Sequence, residues 1–330
     1  MLRPTLHPHH FQEERKKEKM AISASMVKEL REITGAGMMD CKKALTNTDG
    51  DMDKAVDYLR ENGLAKAEKK AGRIAAEGIV KTDISADGKN AAIVEVNSET
   101  DFVAKNEKFQ EFVGAVASQV NASGAADIDA FMEEAWAADT SKTVKEELAS
   151  MIATIGENMN IRRFEKVSCE NGLVVDYIHA GGKIGVLVAA ETDNTGDEVK
   201  ECLKNVAMQI AAMNPKYLSS EDVSEEYKEK EKEVLLAQAK NDPANANKPD
   251  NIIEKMIMGR LNKELKEVCL TEQIYVKAEN KESVAKYVES VGKAAGCSIK
   301  LTKFVRFETG EGLEKKNEDF AAEVAAQLNV

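Results

Sequence analysis

The chain has 330 residues, enough for two or three domains with a sizeable buried core. Aromatic residues make up 5% of it and charged residues 32%, a composition that favours helices, some of them long and solvated. The formal net charge of −12 argues against non-specific binding to nucleic acids or anionic membranes, because both need a basic surface. A local patch on an acidic protein can still bind another protein.

The cysteines and the N-terminus narrow the class of protein further. Five cysteines without a C-x-x-C pair are typical of reduced thiols in a cytoplasmic protein. No apolar run approaches the ~18 residues that a transmembrane helix needs. Residues 1–19 lack the apolar centre of a signal peptide, so we expect a disordered extension. Its three histidines, His7, His9 and His10, have no fixed geometry there, and we expect no metal site.

Residues 20–64 predict a domain of three short helices. Ser23 can cap the first helix, whose apolar face would contain Met26, Leu30 and Ile33 at helical spacing. The third helix begins at Asp51, and we expect it to stop at Gly63. Residues 65–76 then read as a linker whose basic side chains face solvent.

An internal repeat predicts the fold of the central part of the chain. The segment "GIVKTDISADGKNAAIVEVN" reads as two strands around a turn followed by a helix, and "GLVVDYIHAGGKIGVLVAAE" repeats this order about a hundred residues later. Between them we expect helices at 127–137 and 143–158 and the strand "IRRFEKVS". The fold class is therefore α+β, with two related antiparallel sheet-and-helix subdomains, at 77–160 and at 161–216 with 270–310.

Residues 217–269 predict a protruding antiparallel coiled-coil hairpin. Two charged helices flank the loop "NDPANANKPD", and the second helix carries a narrow apolar stripe. The chain then returns through "QIYVKA", a helix at 282–295 and the strand "SIKLTKFVRFE". Residues 311–330 read as a C-terminal helical module. The stripe consists of Ile253, Ile257, Leu261, Leu265 and Val268.

Motifs for catalysis or for nucleotide binding are missing from the sequence. It has no G-x-x-x-x-G-K-[ST], H-E-x-x-H or G-x-S-x-G pattern, and "GAGMMD" follows a helix rather than a strand. Outside the N-terminal extension the only histidine is His179, and an enzyme acting through it would need a second titratable group nearby. We therefore expect a binding protein without a cofactor, not an enzyme.

The stretch "NSETDFVAKN" places an acid and a large aromatic residue, Asp101 and Phe102, at a strand-to-helix junction. The spacing alone favours an ordinary explanation. The aspartate would cap the helix, and the phenylalanine would be its first core residue.

Several long strings are similar to those of the bacterial elongation factor Ts family. They are "VKELREITGAGMMDCKKAL", "VNSETDFVAKNEKF", "IGENMNIRR", "HAGGKIGVLVAA", "FVRFETGEG" and "DFAAEVAA", in the family's order. The resemblance covers the chain from Met20 onward and implies a UBA-like three-helix N-terminal domain, a two-part core, a coiled-coil protrusion and a C-terminal helix.

The resemblance also implies a function. Members of this family are guanine nucleotide exchange factors for elongation factor Tu, in its GDP-bound and nucleotide-free states, with no direct contact to nucleic acid. Thr100, Asp101, Phe102 and Val103 match the segment that enters the GTPase and displaces its Mg²⁺, with Phe102 as a wedge and Asp101 holding it by hydrogen bonding. By linkage, the exchange factor and the nucleotide weaken each other's binding by the same factor.

Further contact residues carry over by position. Arg31, Met38 and Met39 match the N-terminal contacts with the GTPase, although the pattern alone favours core methionines. The remaining matches, in the core and the C-terminal helix, are His179, Val276 and Phe320.

A second hypothesis, a helical adaptor that binds a partner without affecting nucleotides, has no use for a wedge at Phe102. Whether the chain acts alone or as a homodimer stays open.

Overall fold

The computed structural model describes residues 22–245 and 248–314. Within these ranges the chain forms helices and antiparallel strands, as the predicted α+β class requires. The helices are α1 (Ala24–Thr34), α2 (Met38–Asn47), α3 (Met52–Lys70), α4 (Asp101–Ala104), α5 (Glu107–Ala122), α6 (Ile128–Met132), α7 (Val144–Ile155), α8 (Asp197–Met213), α9 (Glu225–Asn241), α10 (Asp250–Val268) and α11 (Val284–Ala295). The strands are β1 (Glu77–Ile84), β2 (Asn90–Ser98), β3 (Ala135–Trp136), β4 (Asp139–Thr143), β5 (Met159–Ser168), β6 (Gly172–His179), β7 (Ile184–Glu191) and β8 (Lys300–Glu308).

Helices α1–α3 form the N-terminal bundle around a small apolar core. Ser23 caps α1 as expected, because its side chain accepts a hydrogen bond from the Met26 N–H. The predicted apolar face of α1 is partly wrong. Leu30 is buried, but Ile33 is 63% exposed and Val27 fills the core in its place.

The predicted stop of the third helix at Gly63 is wrong. Helix α3 runs on to Lys70 and takes up the first half of the predicted linker. At Gly63 it packs closely on α7, since a Cβ there would lie 3.8 Å from the Ala149 carbonyl oxygen. This packing offsets the helix-breaking tendency of the glycine. The Lys66 ammonium, expected to face solvent alone, pairs with Asp40 at 2.9 Å.

The repeat appears as two three-stranded antiparallel sheets, in the orders β1-β2-β5 and β6-β7-β8. Their facing sides enclose a shared core that includes Val80, Ile93, Leu187 and Val305. Helices α4, α5 and α7 cover the outer side of the first sheet, and α8 and α11 cover that of the second. The molecule is thus layered helix, sheet, sheet, helix at its centre.

The turn between β6 and β7 helps to join the two sheets. The Gly182 carbonyl oxygen accepts a hydrogen bond of 2.7 Å from the Val80 N–H in β1. Gly182 has a φ of 100°, and a Cβ there would lie 2.8 Å from the Ile79 Cβ. Glycine is required both by the left-handed backbone and by the close approach of β1.

Two expectations for the central strands and helices are corrected. The strand "IRRFEKVS" forms β5, which pairs with β2, so residues 161–168 belong to the first sheet and not to the second. The helix expected at 127–137 ends at Met132, because Trp136 pairs in a short hairpin and packs on Phe112, with ring centroids 5.7 Å apart. The segment "QIYVKA", through which the chain returns, contains an isolated antiparallel bridge between Ile274 and Ser283.

Helices α9 and α10 pack against each other, and the predicted apolar stripe is confirmed. Its first four members are buried and Val268 is half-buried. At the base of the pair Tyr217 pairs with Cys269, which joins the two ends of the segment to each other. Phe320 and residues 315–330 of the predicted C-terminal module lie outside the described residues.

Candidate functional site

The junction after β2 is a single helical turn, α4, that begins at Asp101. Thr100 is its N-cap, and the Thr100 hydroxyl accepts a hydrogen bond of 3.3 Å from the Val103 N–H. The expectation that Asp101 caps the helix is therefore wrong, since Asp101 occupies the first helical position. Asn106 then caps α5 by accepting from the Phe109 N–H.

Phe102 projects from this turn into solvent. Its side chain is 81% exposed, so the expectation of a core phenylalanine is wrong. The next two residues, Val103 and Ala104, are buried against the first sheet and anchor the turn from its C-terminal side. A solvated aromatic ring on a fixed backbone is available for contact with a partner.

Asp101 forms an ion pair within the same turn. Its carboxylate accepts a hydrogen bond of 2.6 Å from the Lys105 ammonium. This hydrogen bond, together with the charges of Lys105 and Lys183, holds the pKa of the Asp101 carboxyl below its ordinary value. The Asp101 carboxylate is therefore ionised and lies beside Phe102. The resemblance implies that Asp101 holds Phe102 by a hydrogen bond, and in this structure its hydrogen bond is with Lys105.

Two glutamates hold the loop from its N-terminal side. The Glu157 carboxylate accepts from the Thr100 N–H at 3.1 Å and from the Thr100 hydroxyl at 2.7 Å. The Glu99 carboxylate accepts from the Asn158 N–H at 2.5 Å and from the Arg73 guanidinium at 3.4 Å. Neither residue is predicted from the sequence as part of this loop, although Glu157 lies in "IGENMNIRR" and Glu99 in "VNSETDFVAKNEKF", two of the strings that carry the resemblance.

The tip of the β6–β7 hairpin lies beside this loop. The Lys183 ammonium pairs with the Glu77 carboxylate at the start of β1, and its charge also reaches Asp101. His179 is exposed at the end of β6, with its Nδ1 3.0 Å from the Tyr177 hydroxyl. The structure therefore brings this hairpin tip and the Phe102 loop to one side of the molecule.

The N-terminal bundle carries a second exposed apolar group. Met38 is 57% exposed and Met39 is 75% exposed, at the first turn of α2, so the core reading of both methionines is wrong. The exposed Ile33 lies close by at the end of α1, and Arg31 lies in that helix's last turn. Side chains of this kind on adjacent helix ends form a small apolar surface.

Val276 lies on a third exposed apolar segment, after α10. Gln209, buried in α8, accepts from the Val276 N–H at 2.9 Å and donates to the Ile274 carbonyl oxygen at 3.1 Å. Between these two exposed residues Tyr275 turns inward and stacks on Tyr287, with ring centroids 4.0 Å apart. The structure keeps Ile274 and Val276 outward as a pair.

Among residues 22–245 and 248–314, no group of three or more His, Cys, Asp or Glu side chains is placed to hold a metal ion. In the same ranges, no helix is both long enough and apolar enough to cross a bilayer. His7, His9 and His10, for which we expect no metal site, lie outside the described residues.

Comparison with known proteins identifies close relatives along nearly the whole chain. The family model described as "Elongation factor TS" matches residues 99–311. "Elongation factor Ts" of Clostridium novyi (strain NT) is 53% identical over 308 residues, which cover 93% of this chain and 99% of that protein. The protein of the same name from Clostridium perfringens (strain ATCC 13124) is 56% identical over 304 residues, which cover 92% of this chain and 98% of the relative.

Proposed function

Because the chain belongs to the elongation factor Ts family, we propose that it is a guanine nucleotide exchange factor that binds elongation factor Tu with GDP and promotes GDP release during translation elongation. The observation that carries the site is Phe102, which is almost fully exposed on a turn that hydrogen bonds hold in place. A helical adaptor would have no use for such a residue. No bond of the nucleotide is broken, so the protein acts by binding alone.

The mechanism begins with Thr100–Val103 entering the nucleotide domain of the GTPase. In the nucleotide site of the partner, phosphate and protein oxygens would hold Mg²⁺, which would neutralise phosphate charge. The Phe102 ring, inserted beside these oxygens, would shift them and weaken their hold on the ion. Loss of the ion would leave phosphate charge uncompensated and so weaken GDP binding. Reciprocal coupling makes the factor accelerate exchange in both directions, and the excess of GTP in the cell sets the net direction.

The other exposed apolar groups complete the proposed contact surface. Arg31, Met38 and Met39 on the N-terminal bundle would contact the GTPase beside the wedge, and His179 and Val276 would extend the contact along the second sheet's subdomain. Phe320 is proposed on family position only. Apolar and aromatic side chains at the centre of an interface supply most of its binding free energy.

The finer architecture is also part of the proposal. We assign a UBA-like fold to α1–α3 and a coiled-coil hairpin to α9 and α10, supported by the buried positions 253, 257, 261 and 265, four residues apart in α10. The first core subdomain would run from 77 to 168 because β5 completes its sheet. The cytoplasm, where the GTPase works, is the proposed location.

The test is stopped-flow release of a fluorescent GDP from elongation factor Tu. We expect fast release with the wild-type chain and, with Phe102→Ala, release that is slowed about thirty-fold but still measurably above the spontaneous rate. Met258→Ala, which removes an exposed apolar side chain from α10, is the control and should behave as wild type. Binding of the wild-type chain without accelerated release would instead support the adaptor.

A further inference from the structure

The orientation of Phe102 must be fixed by contacts from outside α4, the short helix that carries it. Helix α4 has four residues, and a single turn is unstable in isolation because its nucleus is entropically unfavourable. The Phe102 ring is solvated and adds little packing. Val103 and Ala104 fix the C-terminal side of the turn, so its N-terminal side must be fixed through Thr100.

Thr100 is held by one carboxylate at two points. The Glu157 Oε2 atom accepts from the Thr100 N–H, and the Oε1 atom accepts from the Thr100 hydroxyl. That hydroxyl in turn accepts from the Val103 N–H. The Glu157 side chain thus orients the cap, whose carbonyl oxygen also accepts from the Ser98 hydroxyl at 3.0 Å, and the cap orients the turn that carries Phe102. A carboxylate suits this role because it has two acceptor oxygens and charged acceptors form stronger hydrogen bonds.

The turn that carries Glu157 is itself fixed by its neighbours. It follows the end of α7, where the Gly156 carbonyl oxygen accepts from the Lys70 ammonium of α3. Next to it, the Asn158 N–H donates to Glu99, and the Asn158 amide donates to the Arg73 carbonyl oxygen at 2.8 Å. Residues 99–100 and 157–158 therefore hold each other reciprocally.

We propose that Glu157 is a positioning residue for nucleotide exchange, which sets the direction of Phe102 by fixing Thr100. This inference rests on the proposed function and deepens it. Glu157 does not itself enter the GTPase. Its removal would let the turn tilt, so that the ring enters the partner in a wrong orientation, and a misplacement of about 1 Å is enough to slow such a step considerably.

The experiment measures GDP release from elongation factor Tu over a range of factor concentrations. With Glu157→Gln we expect the maximal release rate to fall about ten-fold, because one of the two acceptors is lost, while the half-saturating concentration changes less. Thr100→Val, which removes only the hydroxyl, should give a similar loss. Thr100→Ser keeps both hydrogen bonds to Glu157 and should retain most of the wild-type release rate. Glu146→Gln, at the other end of α7, is the matched control.

A double-mutant cycle separates positioning from general damage. In the Phe102→Ala background, adding Glu157→Gln should leave the release rate unchanged, because there is no ring left to orient. A ten-fold loss that persists in that background would overturn the inference, as would a wild-type rate for both Glu157→Gln and Thr100→Val. Failure of the wild-type chain to accelerate release would instead refute the proposed function itself. Thermal unfolding of each variant by circular dichroism identifies any that do not fold.

Discussion

The two halves of the internal repeat end their second strand in nearly the same way. After β2 the chain reads "ETDF", and after β7 it reads "ETDN", so that Asn194 stands where the first half has Phe102. In the second half the loop folds on itself. The Asn194 side chain accepts from the Gly196 N–H at 2.8 Å and donates to the Ala295 carbonyl oxygen of α11 at 3.4 Å.

The difference shows which part of the junction the fold requires. A loop ending in Asn194 satisfies its own polar groups and leads directly into α8. The loop ending in Phe102 has an extra turn and is held by a glutamate from a distant segment, Glu157. The fold therefore does not require the exposed ring. Local features that the architecture does not need are those most reasonably attributed to function.

The strands that precede these two loops, β2 and β7, also differ at a matching position. Counting back from the shared "ETD", Glu95 in β2 corresponds to Leu187 in β7, and both side chains are fully buried. The Glu95 carboxylate accepts from the Arg162 and Arg163 guanidinium groups and from the Gly310 N–H at 2.8 Å, beyond β8. One repeat thus places a buried ion cluster where the other places an apolar contact.

The largest effect on stability is expected from Glu95→Ala. The change leaves the two guanidinium groups without their shared buried partner, and breaking such a pair costs about 3–5 kcal/mol. Leu187→Ala, its counterpart, should cost about 2–5 kcal/mol through a cavity. Urea unfolding of both variants measures these values. A loss below about 1 kcal/mol for Glu95→Ala would mean that the cluster adds little to the joint between the sheets.

The next largest loss of stability is expected at the turn between β6 and β7, which is hydrogen-bonded to β1. Gly182→Ala combines left-handed strain with a Cβ placed against Ile79 and should cost about 2–4 kcal/mol. Gly181→Ala has a comparable φ of 66° but open space around the Cβ, and should cost only about 1–2 kcal/mol. Equal losses of unfolding free energy for the two variants in denaturant titrations would show that the close approach of β1 to Gly182 adds nothing to the cost of the substitution.

Replacing each of the two loop residues in turn tests the comparison directly. Phe102→Asn should slow GDP release about thirty-fold, equivalent to about 2 kcal/mol for a residue at the centre of an interface. Its melting temperature should be unchanged, since the ring is solvated. Asn194→Ala should do the opposite, lowering the melting temperature while release stays at the wild-type rate. Stopped-flow fluorescence and calorimetry on the two variants provide both readings.

The smallest effect concerns pH. Burial raises the pKa of the Glu95 carboxyl, but hydrogen bonds from Gly310, Asn97 and Arg163 outweigh it, and the net pKa lies below the ordinary 4.5. The stabilisation is therefore fully present above about pH 4.5 and is lost as the pH falls through the folded-state pKa. Glu95→Leu should flatten this part of the acid-unfolding curve. An unchanged curve would assign the acid sensitivity to other carboxyl groups.

Much of the fold follows from local pattern, and the exceptions have long-range causes. The repeated hairpins and the stripe of α10 are readable because their periodicity is local. The continuation of α3 past Gly63 and the pairing of β5 with β2 depend on partners far along the chain. The exposure of Phe102 could not be predicted from the local pattern either, because the same spacing is typical of a core residue. The hydrogen bond between Thr100 and Glu157 that supports this turn joins residues 57 positions apart in the sequence.

We expect helices α3 and α7, which pack against each other, to act as a spacer between two of the exposed apolar groups. Lys70 and Arg73 connect the N-terminal bundle to the turn and loop around Glu99 and Gly156, so Met38, Met39 and Phe102 are carried on one frame. A partner that has engaged one apolar group meets the other at a span set before binding. The second contact then loses little additional rotational freedom, and its strength depends on the stiffness of the frame as much as on the side chains.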